Sequence, residues 1–347
     1  MSGDIARGLD RAYAAADGET IDLATARVVI FSDHHRGARD GADDFRRCEP
    51  AYNAALAYYF RQGHRLFLLG DVEELWECSA KEVLPAYGRT LALERRFHDA
   101  GRCLRFFGNH DDLWESKWAV WRRLSPLLPG VRVREALKLD VVDGDRRLGC
   151  LFLAHGHQGT AGFRWRFVSH PVLRLIWRPF QRALNIASTT PAQDWALRER
   201  HETAMFEWAR AHPDRIALIA GHTHRPVFWT RVPEVDYAPQ IAELEQRVER
   251  ERDPALEAEL EYLVGEQHRR AGLARPFPEP CYFNTGCCSF GDGDVTGIEI
   301  VDGEIRLVRW PDREGRPLPW VLQSMRLAEA LRAVAPTGLT LAPGRAP

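Results

Sequence analysis

Five times along this chain an apolar, strand-like run ends in a tight group of Asp, Asn or His. Val28-Val29-Ile30-Phe31 runs into Ser32-Asp33-His34-His35, and Arg65 to Leu69 runs into Gly70-Asp71. Cys103 to Phe107 leads to Gly108-Asn109-His110-Asp111, Leu148 to Ala154 to His155-Gly156-His157, and Ile216 to Ala220 to Gly221-His222-Thr223-His224. Helical periodicity is read over residues 3–16, over 43–62 (Phe45, Tyr52, Leu56, Tyr59), over 80–100, and in a segment carrying Trp114, Trp118 and Trp121. Strands alternating with helices predict an α/β fold. In such sheets ligands bind at the carboxyl ends of the strands, so five strands are expected to bring their polar ends to one edge.

Two stretches interrupt the rhythm. Residues 160–205 are predicted to be a helical cap; between Ala161 and Thr190 they hold five Arg and no acid. Residues 233–275 predict a charged helical hairpin broken at Asp253-Pro254, with narrow apolar stripes of Ile241, Leu244, Val248 and of Leu256, Leu260, Leu263. It is a dimer contact, a lid or a solvated decoration. Asp302-Gly303 between Thr296–Val301 and Glu304–Arg309 signals a two-residue hairpin turn. A final helix is expected over 320–334, then a loose tail rich in Pro and Gly. The organisation expected is therefore an N-terminal extension over 1–26, a catalytic domain over 27–310 with both insertions, and a C-terminal helix and tail over 311–347.

Composition excludes several classes. The 347 residues carry 47 Lys and Arg against 49 Asp and Glu, a net charge of −2. Nucleic acid is therefore not an expected partner. No stretch reaches the ~18 apolar residues of a membrane span, and the charged N-terminus lacks the apolar core of a signal peptide. Seven scattered Cys without a paired C-x-x-C pattern suggest a reduced, cytoplasmic protein.

The polar groups are metal-ligand types. Imidazole and carboxylate suit Zn, Mn and Fe, and an amide carbonyl suits a hard cation. Singly each is weak: a D-x-H occurs by chance, and a lone His is more often a core residue. Together, Asp33, His35, Asp71, Asn109, His155, His222 and His224 exceed one four-coordinate ion and fit two. Two ions ~3.5–4 Å apart clamp the attacking and leaving oxygens of an in-line displacement at phosphorus and make hydroxide available near neutral pH.

The series S-D-H-H, G-D-V-E-E, G-N-H-D, H-G-H and G-H-T-H resembles the calcineurin-like metallophosphoesterase family over about residues 27–310. The resemblance implies a four-layer α/β/β/α sandwich. It implies one ion on Asp33, His35 and His224, another on Asn109, His155 and His222, and Asp71 bridging them. Mn is the first expectation, with Fe or Zn as alternatives. His110 would serve as general acid or charge stabiliser, oriented by Asp111, and Glu74 would support a metal-bound His or cap a helix. Asn284-Thr285-Gly286 resembles the N-T-G that follows the last histidine motif in the family.

Val72-Glu73-Glu74-Leu75-Trp76 stands where the Ser/Thr protein phosphatases carry Arg-Gly, which argues against that branch. Leu69-Gly70-Asp71 followed by Glu and Trp, His222-Thr223-His224-Arg225-Pro226, and the Arg- and Trp-rich cap resemble the UDP-2,3-diacylglucosamine pyrophosphohydrolases. Many of those carry Arg at the place of His110 and Asp at the place of His157. The resemblance implies a phosphoester substrate such as a nucleotide-linked lipid or sugar, with the cap touching acyl chains or a membrane surface. Candidate substrate contacts are Arg36, His157, Arg164 and Arg166. A general phosphodiesterase or nuclease, and a non-catalytic binding module, are the other readings.

Overall fold

A computed structural model describes residues 2–160, 195–214, 216–228, 238–251, 253, 256–260, 263–264, 279–289 and 292–334. Arg164 and Arg166, and most of the expected cap, lie outside the described residues. The fold is mixed α/β with two mixed sheets. The first takes strands in the order β1 (Asp17–Asp22), β6 (Ala136–Asp143), β7 (Arg146–Ala154), β8 (Ile216–Ala220), β10 (Tyr282–Thr285), β9 (Pro226–Val227). The second runs β13 (Trp320–Arg326), β12 (Glu304–Trp310), β11 (Val295–Val301), β2 (Arg27–Phe31), β3 (Arg65–Leu69), β4 (Cys103–Phe106), β5 (Val133–Arg134).

The motif strands are largely apolar because both their faces are covered. In β2, Val28 and Ile30 join an apolar cluster drawn from both sheets, while Val29 and Phe31 turn to the other face, against helix α2 (Phe45–Arg61). In β3, Phe67 and Leu69 take the first face and Leu66 and Leu68 the second. In β8, Ala217 and Ile219 meet the shared cluster, and Ile216, Leu218 and Ala220 pack with helices α1 (Ser2–Ala15) and α5 (Trp195–Ala211). Helix α2 buries Phe45, Cys48, Tyr52, Leu56 and Tyr59, steps of three and four that form one face.

β2, β3 and β4 are parallel neighbours in one sheet, and β7 and β8 in the other. The five polar groups thus come from two sheets rather than one edge of a single sheet. Asp33 donates its N–H to the Gly70 carbonyl at 3.1 Å, and Gly221 donates to the His155 carbonyl at 3.0 Å, so neighbouring strand ends are tied in pairs.

The other differences from expectation have physical causes. Residues 80–100 form two helices, α3 (Ala80–Ala86) and α4 (Gly88–Asp99), parted at Tyr87, whose buried hydroxyl donates to Asp43 at 2.6 Å. The Trp-bearing segment is a 3-10 turn, Asp112–Glu115, followed by a short helical stretch over 117–124; Trp114 is buried while Trp118 and Trp121 are exposed. Residues 320–334 begin as strand β13, because pairing with β12 overrides helical period, and only Leu327–Ala333 is helix (α7). The extension over 1–26 and the segment from 311 are integral: β1 and β13 edge the two sheets, and α1 and α7 bury Leu9 and Leu331. Helix α5 crosses the expected cap boundary at 205 and packs Met205, Trp208 and Ala209 on the core. The 233–275 stretch includes helix α6 (Ala238–Glu251) and a helical turn over 256–260; Leu244 and Leu256 are already buried within the chain. No disulfide joins the seven cysteines, and no helix among the described residues is long and apolar enough to cross a membrane.

Beneath the motif loops lies a fully buried ionic set. Arg105 on β4 donates to both oxygens of Glu73 at 2.8 and 2.7 Å, and Arg36 pairs with Glu94 of α4. Arg105 also approaches Glu94 at 3.6 Å, and Trp114 donates its indole N–H to Glu73 at 2.9 Å. The two cations and two anions balance. Burial pushes the Glu73 carboxyl up, but Arg105 and Arg36 hold it below its ordinary value. The stability it contributes is therefore present above the unfolded carboxylate pKa and lost as pH falls through the lower folded one. Glu73→Ala leaves two buried guanidinium groups short of a counter-charge and is expected to cost about 3–5 kcal/mol at neutral pH. Urea denaturation checks this; a loss under about 1 kcal/mol would show that the set tolerates one missing member.

Candidate metal centre

Three of the five motifs place their side chains by a bend in the chain just past a strand. Asp33, His35, Asp71, His222 and His224 all sit in the left-handed region, at φ of 53°, 47°, 51°, 69° and 58°. That conformation costs a non-glycine residue about 1–2 kcal/mol. It persists where surrounding structure over-determines it, which is common at functional sites. The adjoining glycines are required by close approach. A Cβ on Gly108 would strike Asp71 Oδ1 and lie 2.7 Å from His155 Nε2, and one on Gly221 would strike Ser32 Oγ and Asp33 Oδ2.

The side chains converge. Asp33, His35 and His224 form one group whose ligand atoms lie within 4.8 Å of one another, and Asp71, His155 and His222 form another. Asp71 and His35 form a third with His110, which links the first two. His155 Nε2 is 3.0 Å from Asp71 Oδ2, His224 Nε2 is 3.2 Å from Asp33 Oδ1, and His35 Nε2 is 2.9 Å from His224 Nε2.

The donor chemistry fits divalent cations. His155 donates Nδ1–H to the Leu69 carbonyl at 2.8 Å, leaving a lone pair on Nε2. His35 donates Nδ1–H to Glu74 Oε2 at 3.1 Å, so its Nε2 lone pair faces His224 and the aspartates. Asn109 Oδ1 is buried with no hydrogen-bond donor. Lone pairs gathered in this way need a proton or a cation. Burial and the neighbouring His201 and His155 push His222 well below the ordinary imidazole value. Burial likewise lowers His224, so both stay neutral, the form that binds metal. Burial works against ionised Asp33, yet His155 and His224 hold its carboxyl well below the usual range. His155 itself is drawn up to about 9, Asp71 and Asp33 outweighing its burial.

His110 stands beside the group. Its ring stacks on Trp76 with centroids 4.0 Å apart, and its Nδ1–H donates to Glu74 Oε2 at 2.7 Å. Glu74, and not Asp111, therefore orients it. Both Asp111 oxygens are taken by backbone: Oδ1 accepts from Gly108 at 2.6 Å and Asp71 at 3.2 Å, and Oδ2 from Val72 at 2.8 Å. Burial, with Asp71 and Glu73 nearby, pushes Asp111 up to about 7. Its place is to lock the second and third motif loops together.

Of the candidate substrate contacts, Arg36 falls differently from expectation. Arg36 is 1% exposed and committed to the ionic set under the site, so its guanidinium is not brought to the cluster. His157 is buried, its ring 5.5 Å from that of His155, on the side of Phe107.

Other contributors escaped the motif reading. On α5, His201 bonds the Gly156 carbonyl at 2.7 Å with its ring 4.9 Å from His222, and Glu202 accepts from Thr223 at 2.9 Å and from Arg225. A single His-Glu pair inside a helical stretch carries no motif signal. Ser32 lies 2.6 Å from Thr285 and bonds Asp33, so the N-T-G segment braces the first aspartate. Because Glu74 holds both His35 and His110, Glu74→Gln is expected to weaken divalent-metal binding about 10–100-fold. Metal titration of the metal-free variant checks this; unchanged affinity would show that neither histidine needs Glu74 to bind metal.

No protein-family model matches the chain, and the search of curated proteins returns no match to it.

Proposed function

We propose that this chain is a phosphoester hydrolase working with two divalent ions, and that its two sheets with flanking helices form an α/β/β/α sandwich. One observation carries the reading: two ligand groups, Asp33-His35-His224 and Asp71-His155-His222, stand side by side, joined through His35 and Asp71. The apolar cluster between the sheets, with further clusters under α1 and α5 on one side and α2 on the other, supports the layering.

The first group would hold one ion; Asp71, His155 and His222, with Asn109, the other, Asp71 being the bridge. When bound, such a pair supplies Lewis acidity at a phosphoryl oxygen and a nucleophile at neutral pH. The chain's own residues do the rest. Asp33 and Asp71 offset the cationic charge. Glu74 fixes the His110 tautomer with hydrogen on Nδ1, leaving Nε2 to exchange a proton with the leaving oxygen. Burial opposes a charged His110, but Glu74 and Asp71 raise it above the ordinary imidazole value, which favours the acid form.

Hydrolysis of p-nitrophenyl phosphate, bis-p-nitrophenyl phosphate and a UDP-linked acyl sugar by metal-free and Mn-loaded protein tests this reading. Metal-dependent turnover of any one supports it. Turnover confined to the UDP-lipid would identify a pyrophosphohydrolase, and turnover of the small diester a general phosphodiesterase. No metal-dependent turnover of all three would refute it.

A further inference from the structure

We propose that Trp76 is a positioning residue for His110, holding the imidazole in the orientation that aims Nε2 at the leaving oxygen; this rests on the phosphoesterase reading above, with His110 as its acid. The observation behind it is a ring pair beside the metal centre. The indole of Trp76 lies over the His110 ring with centroids 4.0 Å apart and planes 24° from parallel.

The backbone of His110 is pinned at both ends: its N–H donates to Asp71 Oδ1 at 2.8 Å, and its carbonyl accepts from the Leu75 N–H at 3.0 Å. That does not fix the side chain, because the second torsion of an imidazole is broad and roughly two-fold. The hydrogen bond from Nδ1 to Glu74 Oε2, 2.7 Å long, chooses between the two flips. It holds one point of the ring and leaves the tilt of the plane, and with it the direction of Nε2, less determined. A second ring stacked on the face sets that tilt. Among the described residues Trp76 is the ring that does so, since His35 stands at 86° to the imidazole with centroids 4.6 Å apart.

Trp76 is committed to this ring rather than to the core. Its neighbours Leu75 and Cys78 turn into the apolar cluster that holds Phe107 and Trp114. Trp76, partly buried, belongs to none of the apolar clusters among the described residues. Its backbone N–H donates to Glu74 Oε1 at 3.2 Å, so the two oxygens of one carboxylate set the register of both stacked rings. A general acid must lie within hydrogen-bond reach of the atom it protonates, and a misplacement of about 1 Å can cost about 10²-fold. A leaving group that departs unaided does not need the proton. The stack should therefore matter for poor leaving groups and not for good ones.

Two diesters that differ in the departing phenol test this on the Mn-loaded full chain: methyl phenyl phosphate and methyl 4-nitrophenyl phosphate. Trp76→Leu and Trp76→Met remove the stacking face, and Trp76→Phe keeps one. The leucine and methionine variants are expected to hold two ions and to lose at least about tenfold in kcat on the phenyl ester, with KM and the nitrophenyl rate near wild type. Trp76→Phe should recover most of the loss. In a His110→Ala background Trp76→Leu should change nothing further. Equal loss on both esters, loss that persists without His110, a phenylalanine variant no better than leucine, or no loss at all would overturn the positioning role. Loss of metal from both Trp76→Leu and Trp76→Met would also overturn it, making Trp76 a support of the metal centre. In those cases a His110→Ala variant that still discriminates between the esters leaves the acid standing, and one that does not removes the acid as well. No metal-dependent hydrolysis of either ester by the wild-type chain would remove the phosphoesterase reading itself.

Discussion

Replacing Asp71 by alanine is expected to empty the centre of both ions and take hydrolysis to background. Asp71 belongs to two of the three ligand groups, one with His155 and His222 and one with His35 and His110. Its Oδ2 is 3.0 Å from His155 and 3.8 Å from His35, and its Oδ1 accepts the His110 N–H at 2.8 Å. Without it, a pair of dications would meet a cluster of imidazoles with Asp33 as the one carboxylate left among the ligand groups. Loss of the ions removes the Lewis acid and the nucleophile together, terms worth several kcal/mol each. Asp71→Asn, which keeps the size and a carbonyl acceptor, separates this from misfolding. It should melt near wild type while still failing to hold two ions at micromolar metal. Retention of two ions by both variants would show that Asp71 is no bridge.

His110→Ala is expected to keep both ions and lose about 10²–10⁴-fold in kcat on esters with poor leaving groups, the usual worth of a positioned general acid. The result decides between two roles that geometry leaves adjacent. His110 lies within ligand distance of His35 and Asp71, yet its ring is fixed by Glu74 and stacked on Trp76. As an acid its loss should fall on esters with poor leaving groups and spare p-nitrophenyl esters, which need little protonation. As a ligand its loss should remove metal and depress all substrates alike. Metal analysis beside a leaving-group series reads out both.

The centre was legible in the sequence to an uneven degree. Seven metal-ligand candidates could be named because each ends an apolar strand, and a buried strand shows plainly as a run such as Leu66-Phe67-Leu68-Leu69. Which sheet each motif strand joins is not readable from composition, since a strand covered on both faces has the same composition whichever sheet it joins. Polar edge strands such as Asp17–Asp22 carry no apolar signal and were missed. The resemblance implies that Asp111 orients His110, whereas the loop turns it towards the backbone of Gly108, Asp71 and Val72 and leaves the ring to Glu74. Arg36 sits one residue past a candidate ligand and looked like a phosphate contact. Its counter-charge, Glu94, is 58 residues away, so only the fold reveals the pairing. His201 and Glu202 act through contacts with Gly156, Thr223 and Arg225 that no local spacing encodes.

The most direct test of a two-ion hydrolytic centre is a titration of metal-free protein with Mn²⁺, following bound metal and hydrolysis of bis-p-nitrophenyl phosphate together. Two ions per chain are predicted, with activity rising only as the second binds and vanishing on chelation. Hydrolysis by the metal-free protein, or saturation with Mn²⁺ that produces no hydrolysis of this or any phosphoester offered, would contradict it.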